Sequence, residues 1–417
     1  MSISAQLSTI AKYIFPTDVP HAFYNKNPGL GDAVKKTDAA KGESYKISVA
    51  YSQGAAGSAT YSDAYAIAGN ARYERFSVTS VTDYAIARMN GEDIEKLSGD
   101  KGAVIDAWKD RIDSAYYEAM RSLAINWFGD GSGQRGIVSS GQATNTLVLG
   151  SAAATPEPSR ITNFYVGMNV QAAQTATGAL HNAGAVEVVA GIDRIGGTLT
   201  STSAAWNTVI AALAAGDSLF RRGDAQDNSG VAKVITGMGQ WIIGGSSPAP
   251  LFGATRTTDP VALAGQAASY ATVDMVEAVL QHSQLVAIQE GDEDKTLYCN
   301  PRDKVNLVKL LEGRARYVRP EQKSDATVGV DTIEFETDSG PMKLKGDINV
   351  PVTQFFILAT KLCELISVGP TPKPMEVDGQ TVRARDQYDA YEMRIGSYVN
   401  AACRFPGACG RGTGWGT

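Results

Sequence analysis

The chain has 417 residues, a length that corresponds to roughly two or three domains. Charged residues make up 20% of it and apolar residues 43%, and 38 Lys and Arg against 44 Asp and Glu give a formal net charge of −6. The apolar content argues against wholesale disorder, and the lack of a basic excess argues against a protein that binds nucleic acid along its surface.

Residues 1 to about 42 contain prolines at Pro16, Pro20 and Pro28 and show no sustained helix or strand period. Prolines at this density favour extended chain, so the segment is expected to be an arm that lies against another surface. It lacks the features of a signal peptide, and no stretch of the sequence approaches about 18 apolar residues. We therefore expect neither secretion nor a membrane span.

Residues 44–52 alternate between apolar and polar side chains, which predicts a half-exposed strand, and residues 72–88 are its expected partner. Between Ser52 and Ala71 there is no Lys or Arg, and Asp63 is the only charge. A long hairpin with such a tip is a liability in a monomer, so the tip is expected to contact a neighbouring subunit. The candidate contact residues are Gly54, Gly57, Tyr61, Asp63, Tyr65 and Gly69.

Apolar residues recur at three- and four-residue steps from Val104 to Phe128, which predicts an amphipathic helix on the order of 35–40 Å long. Asp100 is the expected N-cap, and Gly129 is expected to end the helix. A helix of this length would serve as a spine for the domain that contains it.

Gly131, Gly133 and Gly136 match the bare GxGxxG pattern of dinucleotide-binding sites. That site needs a strand before the glycines and a helix N-terminus after them. Here the helix comes first and no helical period follows. A glycine-rich turn is therefore favoured over a nucleotide site.

Short β-like runs separated by Gly and Asn extend from about Ser139 to Asp227 and predict a small all-β insert, with a barrel as one arrangement. The remainder is mixed. Helices are expected over residues 273–288 and 302–311, and strands over residues 296–299, 333–335, 343–345, 355–360 and 384–400. The sequence therefore predicts an α+β fold.

Catalytic and metal-binding side chains are scarce. The histidines His21, His181 and His282 are far apart, and the spacing of Cys299, Cys363, Cys403 and Cys409 matches no zinc motif. We expect free thiols, with Cys403 and Cys409 as a pair that could approach one another without bonding. These counts predict a structural protein, with no catalytic residues, metal or cofactor.

Two charged segments allow more than one interpretation. Arg314, Arg316 and Arg319 could contact nucleic acid, but three basic residues are too few for tight phosphate binding, so intersubunit ion pairs are favoured. The acidic residues 290–294 lack the ligand spacing of a calcium loop and predict a solvated loop.

The order of these parts resembles a tailed-phage major capsid protein of the Hong Kong 97 type. The resemblance rests on the arm, the long hairpin, the spine helix, the GDGSG turn followed by Gly136 and Ile137, the NPRD segment Asn300–Asp303, and a late strand ending at Phe405–Ala408. It implies the following layout: an N-terminal arm (1–42), an extended hairpin loop (43–90), a peripheral domain with the spine helix (91–138 and 375–400), the inserted β domain (139–227) and an axial domain (228–374 and 401–417).

The resemblance implies a virion protein, assembled in the host cytoplasm into pentamers and hexamers of an icosahedral head shell. It further implies a portal, a decoration protein as a further candidate partner, and packaged double-stranded DNA held without sequence-specific binding. The arm starts almost at Met1, without the long N-terminal helical segment of some members, so a scaffold is expected to be a separate protein or to be absent. It also lacks a lysine between Ser52 and Ala71, so the isopeptide chemistry of other members has no nucleophile and noncovalent stabilisation is expected.

Three alternatives remain open from the sequence. An encapsulin-like nanocompartment shell would share the fold but bind a cargo peptide, and the β insert argues mildly against it. A phage tail or baseplate protein would share the Gly- and Thr-rich β segments without needing the spine helix. An enzyme with a nucleotide turn at residues 131–136 would bind a dinucleotide.

Overall fold

The computed structural model describes residues 27–52, 54, 57–97, 101–202, 205–287, 294–312, 333–337, 340–376, 379–384 and 388–415. Most of the predicted arm, the expected cap Asp100, most of the acidic segment, and Arg314, Arg316 and Arg319 lie outside these residues. No helix within them is long and apolar enough to cross a membrane.

The helices of the described chain are α1 (Pro28–Asp32), α2 (Tyr61–Ile67), α3 (Gly91–Leu97), α4 (Lys101–Trp127), α5 (Trp206–Val209), α6 (Met238–Trp241), α7 (Pro260–Ala264), α8 (Met275–Ala287) and α9 (Pro301–Glu312). The strands are β1 (Val34–Thr37), β2 (Tyr45–Ser52), β3 (Arg72–Val78), β4 (Val81–Asn90), β5 (Gln134–Ser140), β6 (Thr146–Ala152), β7 (Thr155–Pro156), β8 (Asn169–Ala173), β9 (Glu187–Asp193), β10 (Thr198–Ser201), β11 (Ser218–Arg221), β12 (Gln266–Ser269), β13 (Lys295–Cys299), β14 (Ile333–Thr337), β15 (Gly340–Gly346), β16 (Gln354–Ala359), β17 (Cys363–Ser367), β18 (Lys373–Pro374), β19 (Val382–Ala384), β20 (Ala390–Cys403) and β21 (Gly410–Thr413).

The first sheet, named here the long-strand sheet, is organised around β20. Strands β4, β17, β18 and β19 all pair antiparallel with β20, and β1 pairs parallel with β17. The predicted spine helix is confirmed as α4. Its buried face, which includes Trp108, Ile112 and Ala119, packs against Ala87 and Met393 of this sheet.

The predicted hairpin partner over residues 72–88 is wrong in its second half. Strand β3 pairs with β2 as expected, but β4 leaves the hairpin and pairs with β20. In β3 the buried side chains stand at even-numbered positions, Phe76 and Val78, whereas in β4 they stand at odd-numbered positions, Ala85 and Ala87. Alternate side chains of a strand point to opposite faces, so the alternation that holds in β3 does not continue unbroken into β4. The hairpin therefore ends at Val78, not near residue 90.

The end of the predicted arm belongs to the folded body. Residues 28–37 form α1 and β1, and Leu30 and Ala33 are buried. The backbone N–H of Gly29 donates to Asp347 at 3.0 Å, and a Cβ at Gly29 would lie 2.3 Å from the Phe128 ring. This close approach fixes the segment against α4 and the C-terminal half of the chain.

The second sheet closes on itself in the order β10-β9-β8-β11-β5-β6, since β10 also pairs with β6, and β7 extends from β6. It begins at Gln134, before the boundary at Ser139 that the sequence suggested, because β5 follows the glycine turn directly. Its core residues are fully buried: Val138, Leu147, Leu149, Val170, Val189, Leu199, Trp206 and Leu219. We call it the barrel.

The third sheet, named the short-strand sheet, has the order β12-β21-β16-β13-β15-β14. Its core includes α8, whose His282 is fully buried among aromatic rings. The Nδ1 atom of His282 lies 2.9 Å from the Tyr270 hydroxyl. The imidazole ring packs edge-on against the Phe355 ring, with the two ring centroids 5.6 Å apart. Burial lowers the pKa of His282 to about 4, against an opposing backbone hydrogen bond at Gln266.

We predict that His282 makes the fold acid-sensitive. Between pH 6.5 and 4, His282 is protonated in the unfolded chain but stays neutral in the folded chain. The free energy of unfolding therefore falls as the pH falls through this range. Relative to His282→Gln, the wild type should lose about 2 kcal/mol more unfolding free energy between pH 6.5 and 5, measured by urea titration. A wild type and His282→Gln with parallel pH profiles would contradict this prediction.

Candidate functional site

The tip of the β2–β3 hairpin exposes a cluster of large apolar side chains. Helix α2 buries none of its residues, and Tyr61, Tyr65 and Ile67 are 85%, 76% and 61% exposed. The two tyrosine rings stack with centroids 6.3 Å apart, and the Thr60 hydroxyl donates to Asp63 at 2.6 Å. The tip is thus locally ordered while its apolar surface faces solvent, which is typical of a surface that a partner covers.

The three candidate glycines of the tip differ in what they do. Gly54 has φ +64°, and a Cβ there would lie 2.2 Å from the carbonyl carbon of Asn70, so the hairpin neck requires glycine. The N–H of Gly69 donates to the Gly54 carbonyl at 3.3 Å and closes the same neck. Gly57 has nothing within 4 Å of an added Cβ. A Cβ at Gly69 would meet only ordinary contacts at 3.9 Å, so within the subunit Gly57 and Gly69 can vary and Gly54 cannot.

The root of the hairpin is fixed to the body. Its buried residues are Ile47, Val49, Phe76 and Val78. The Phe76 ring lies 5.1 Å from that of Trp241, and the Ser77 N–H donates to the Phe252 carbonyl at 2.9 Å. Since the root is packed and the tip is not, the tip is presented outward from a rigid base.

A buried carboxylate ties the hairpin root to both ends of the described chain. Glu364 accepts a hydrogen bond from the Tyr45 hydroxyl at 3.1 Å and ion pairs with Lys36 at 3.2 Å and Arg404 at 2.5 Å. These donors come from β2, from β1 and from the residue that follows β20. A buried charge with several partners is stable only while all of them stay in place, so this node resists displacement of the root.

A groove of about 1410 Å³ lies beside β4, between α4 and the barrel. Tyr84, Ile86 and Tyr117 line it and are each about half exposed. An open groove that combines exposed aromatic and apolar side chains with charged ones is a second surface suited to contact with another chain. Sequence reasoning missed this groove because its walls come from separate elements.

Paired charges line one side of the groove and join β4, α4 and the barrel. Arg221 contacts Asp83 at 2.8 Å, Glu118 at 3.4 Å and Asp224 at 3.0 Å. Burial raises the pKa of Glu118, and the positive charge of Arg221 opposes that rise. The Arg221 network therefore links three elements that lie far apart in sequence.

A second, more deeply buried ion pair lies where the barrel meets the spine helix. Arg135 of β5 contacts Asp224 at 3.1 Å and donates to the Ser122 hydroxyl of α4 at 3.1 Å. Arg121 of α4 donates to the backbone carbonyl of Thr162. These contacts hold the barrel against the helix at several points rather than by its connecting chain alone.

No protein-family model matches the sequence, and no curated protein matches it. Among solved structures, a chain of the capsid asymmetric unit of cyanophage A-1(L) matches with a TM-score of 0.53 at 10% identity, over 91% of this chain and 89% of that chain. The capsid of a native GTA particle matches with a TM-score of 0.47 at 8% identity, over 93% and 89%. The SrpI encapsulin of Synechococcus elongatus matches with a TM-score of 0.24 at 10% identity, over 36% and 54%.

The chain has a phage capsid fold. The match to the cyanophage chain extends over nearly the whole length of both proteins, so it includes the arrangement of the parts and not one motif. The resemblance inferred from the sequence is confirmed at this level.

The glycine turn and the two described histidines lie in separate parts of the fold. Gly131 and Gly133 have φ near +80°, and a strand rather than a helix follows them, so the turn interpretation is confirmed. His181 lies 2.8 Å from Asp217 in the barrel region, whereas His282 belongs to α8 beside the short-strand sheet. His21 lies outside the described residues.

The cysteines lie closer together than the sequence suggested. All four are free and buried, and Cys363 joins the expected pair of Cys403 and Cys409. Cys363 was missed because it approaches the pair only through the pairing of β17 with β20. Spacing along the chain carries no signal for such a contact.

We predict that the Arg135–Asp224 pair stabilises the part of the barrel that contacts the spine helix. Asp224→Asn should lower the free energy of unfolding by about 3 kcal/mol, because it leaves a buried guanidinium without its counter-charge. The matched control is Asp38→Asn, which removes an exposed pair with Lys41 and should cost less than about 1 kcal/mol. Urea unfolding of the soluble subunit measures both. Equal losses in the two variants would contradict this prediction.

Proposed function

We propose that this chain is the major capsid protein of a tailed phage, a structural subunit that self-assembles into the icosahedral head shell around double-stranded DNA. The observation that carries the proposal is the match over almost the whole chain to a cyanophage capsid fold. The exposed hairpin tip supports it, because a surface of this kind is stable in water when another subunit covers it.

The proposed tip contact explains how a closed shell could be stable yet assemble correctly. Each contact buries a modest apolar surface and stays reversible, while repetition by symmetry makes their sum large. The candidate contact residues Tyr61, Asp63 and Tyr65 stand on α2, and Gly57 lies in the same exposed tip. Arg314, Arg316 and Arg319 remain candidates for ion pairs with a neighbour on the basis of sequence alone.

The shell is proposed to be noncovalent and non-enzymatic. No lysine lies between Ser52 and Ala71, so the tip offers no amine for an isopeptide bond. Buried area between subunits would then supply the stability. The net charge of −6 agrees with a shell that encloses DNA without binding its phosphates tightly.

The proposed partners follow from this role. They are further copies of the chain in pentamers and hexamers, a portal, a separate scaffold protein and a decoration protein. The mature protein would be part of the virion. No cofactor or metal is required for shell assembly in this proposal.

We predict that the expressed full-length chain, alone or with the scaffold protein of its phage, forms closed round particles in negative-stain electron microscopy. In sodium dodecyl sulfate these particles should run as single chains, because no covalent bond joins them. Tubes or rings would favour a tail or baseplate protein, and particles that co-purify with an enzyme bearing a cargo peptide would favour an encapsulin-like shell. Dispersed small particles in both settings would contradict shell formation.

We predict that a charge at the tip blocks assembly without unfolding the subunit. Tyr65→Glu should lower the yield of shells by at least about tenfold, since a contact residue of this type contributes on the order of 2 kcal/mol. Gly57→Asp should act in the same way, because the subunit itself leaves room for the side chain. Circular dichroism and urea unfolding should match the wild type for both variants.

Ile195→Glu provides the matched control. Ile195 is exposed between β9 and β10 of the barrel, away from the hairpin, so this variant should form shells at wild-type yield. Gly54 is unsuitable for the test, because its substitution would distort the neck of the hairpin. Normal shell yields from Tyr65→Glu and Gly57→Asp would contradict the proposed tip contact.

A further inference from the structure

Three cysteine thiols from two different sheets meet in the core. Cys363 at the start of β17 lies directly opposite Cys403 of β20 in the long-strand sheet. Cys409 follows the turn Pro406–Ala408 and leads directly into β21 of the short-strand sheet. Their sulfur atoms all lie within 4.8 Å of one another, and all three residues are at most 1% exposed.

Two groups beside Cys409 would favour negative charge on a metal-bound sulfur. They are the backbone N–H of Ala359 and the buried ammonium group of Lys295.

The spacing of the sulfurs also fits a metal ion. With a metal–sulfur distance of about 2.3 Å, three ligands in a trigonal plane would be about 4.0 Å apart, so the thiols would need to move by less than about 1 Å. No fourth His, Cys, Asp or Glu of the described residues joins the cluster. A structural zinc ion requires four ligands, whereas thiolates select soft ions such as Cu(I).

We propose that Cys363, Cys403 and Cys409 bind one Cu(I) ion in a three-thiolate site that joins the two sheets. Binding releases the thiol protons of Cys363, Cys403 and Cys409 to solvent and forms three copper–sulfur bonds, with no change of oxidation state. The three thiolates and Cu(I) carry a net charge of −2, which the ammonium group of Lys295 partly offsets. Because the site is closed to solvent, the ion would enter during folding.

The test expresses the full-length chain in copper-supplemented medium and purifies it without oxygen under reducing conditions. Elemental analysis then measures copper per chain. The wild type should retain about one copper, and Cys409→Ser at least about tenfold less, because loss of a ligand costs no less than loss of an outer-shell partner. Cys299→Ser is the matched control, since Cys299 is equally buried but lies in a separate core cluster.

X-ray absorption at the copper edge of the wild type should give three sulfur neighbours, a readout that does not depend on whether Cys409→Ser folds. A parallel culture with zinc should give no retained metal. Copper that Cys409→Ser retains in full, fewer than three sulfur neighbours, or a wild type without copper would overturn the proposal. None of these measurements requires shell formation, so failure here is separate from failure of the capsid proposal.

Discussion

Strand β20 holds distant parts of the chain together, and the positions of the hairpin, the spine helix and the barrel depend on its pairing with β4. The ladder runs from Ala390 opposite Asn90 to Val399 opposite Val81. It brings a segment from the first quarter of the sequence against one from the last, and α4 packs on the pair. The hairpin leaves the chain at the start of β4, and α4 ends near the same end of the ladder, where Asn126 lies beside Val81, before the glycine turn leads into the barrel.

This arrangement explains why the hairpin can have a rigid root and an uncovered tip. The Glu364 node and the packing of Phe76 on Trp241 fix the root to the body, so little freedom would be lost in the proposed contact of the tip with a partner. The contacts that the described residues of the tip make are local, with stacked tyrosines and a neck that requires Gly54. A preorganised but unsatisfied surface is suited to repeated contacts in a symmetric assembly.

The sequence predicted features whose cause is local and missed those that depend on distant pairing. The spine helix was predictable because apolar residues recur from Val104 to Phe128 with the period of a helix. The predicted hairpin was too long because the alternation in the sequence continues through Thr79 and Ser80. It therefore hides the point at which the pairing changes from β2 to β20. The barrel closes because β6 pairs with β10, and the thiol cluster forms because the pairing of β17 with β20 places Cys363 opposite Cys403. Local sequence patterns do not indicate which distant segments pair or in which register.

A cryo-electron microscopy reconstruction of assembled particles tests the central claim most directly. In the proposed shell, α2 of each subunit lies against a neighbouring subunit, and Tyr61 and Tyr65 lose most of the exposure that they have in the single chain. Particles in which both tyrosines remain open to solvent would contradict the account of how this subunit builds a shell.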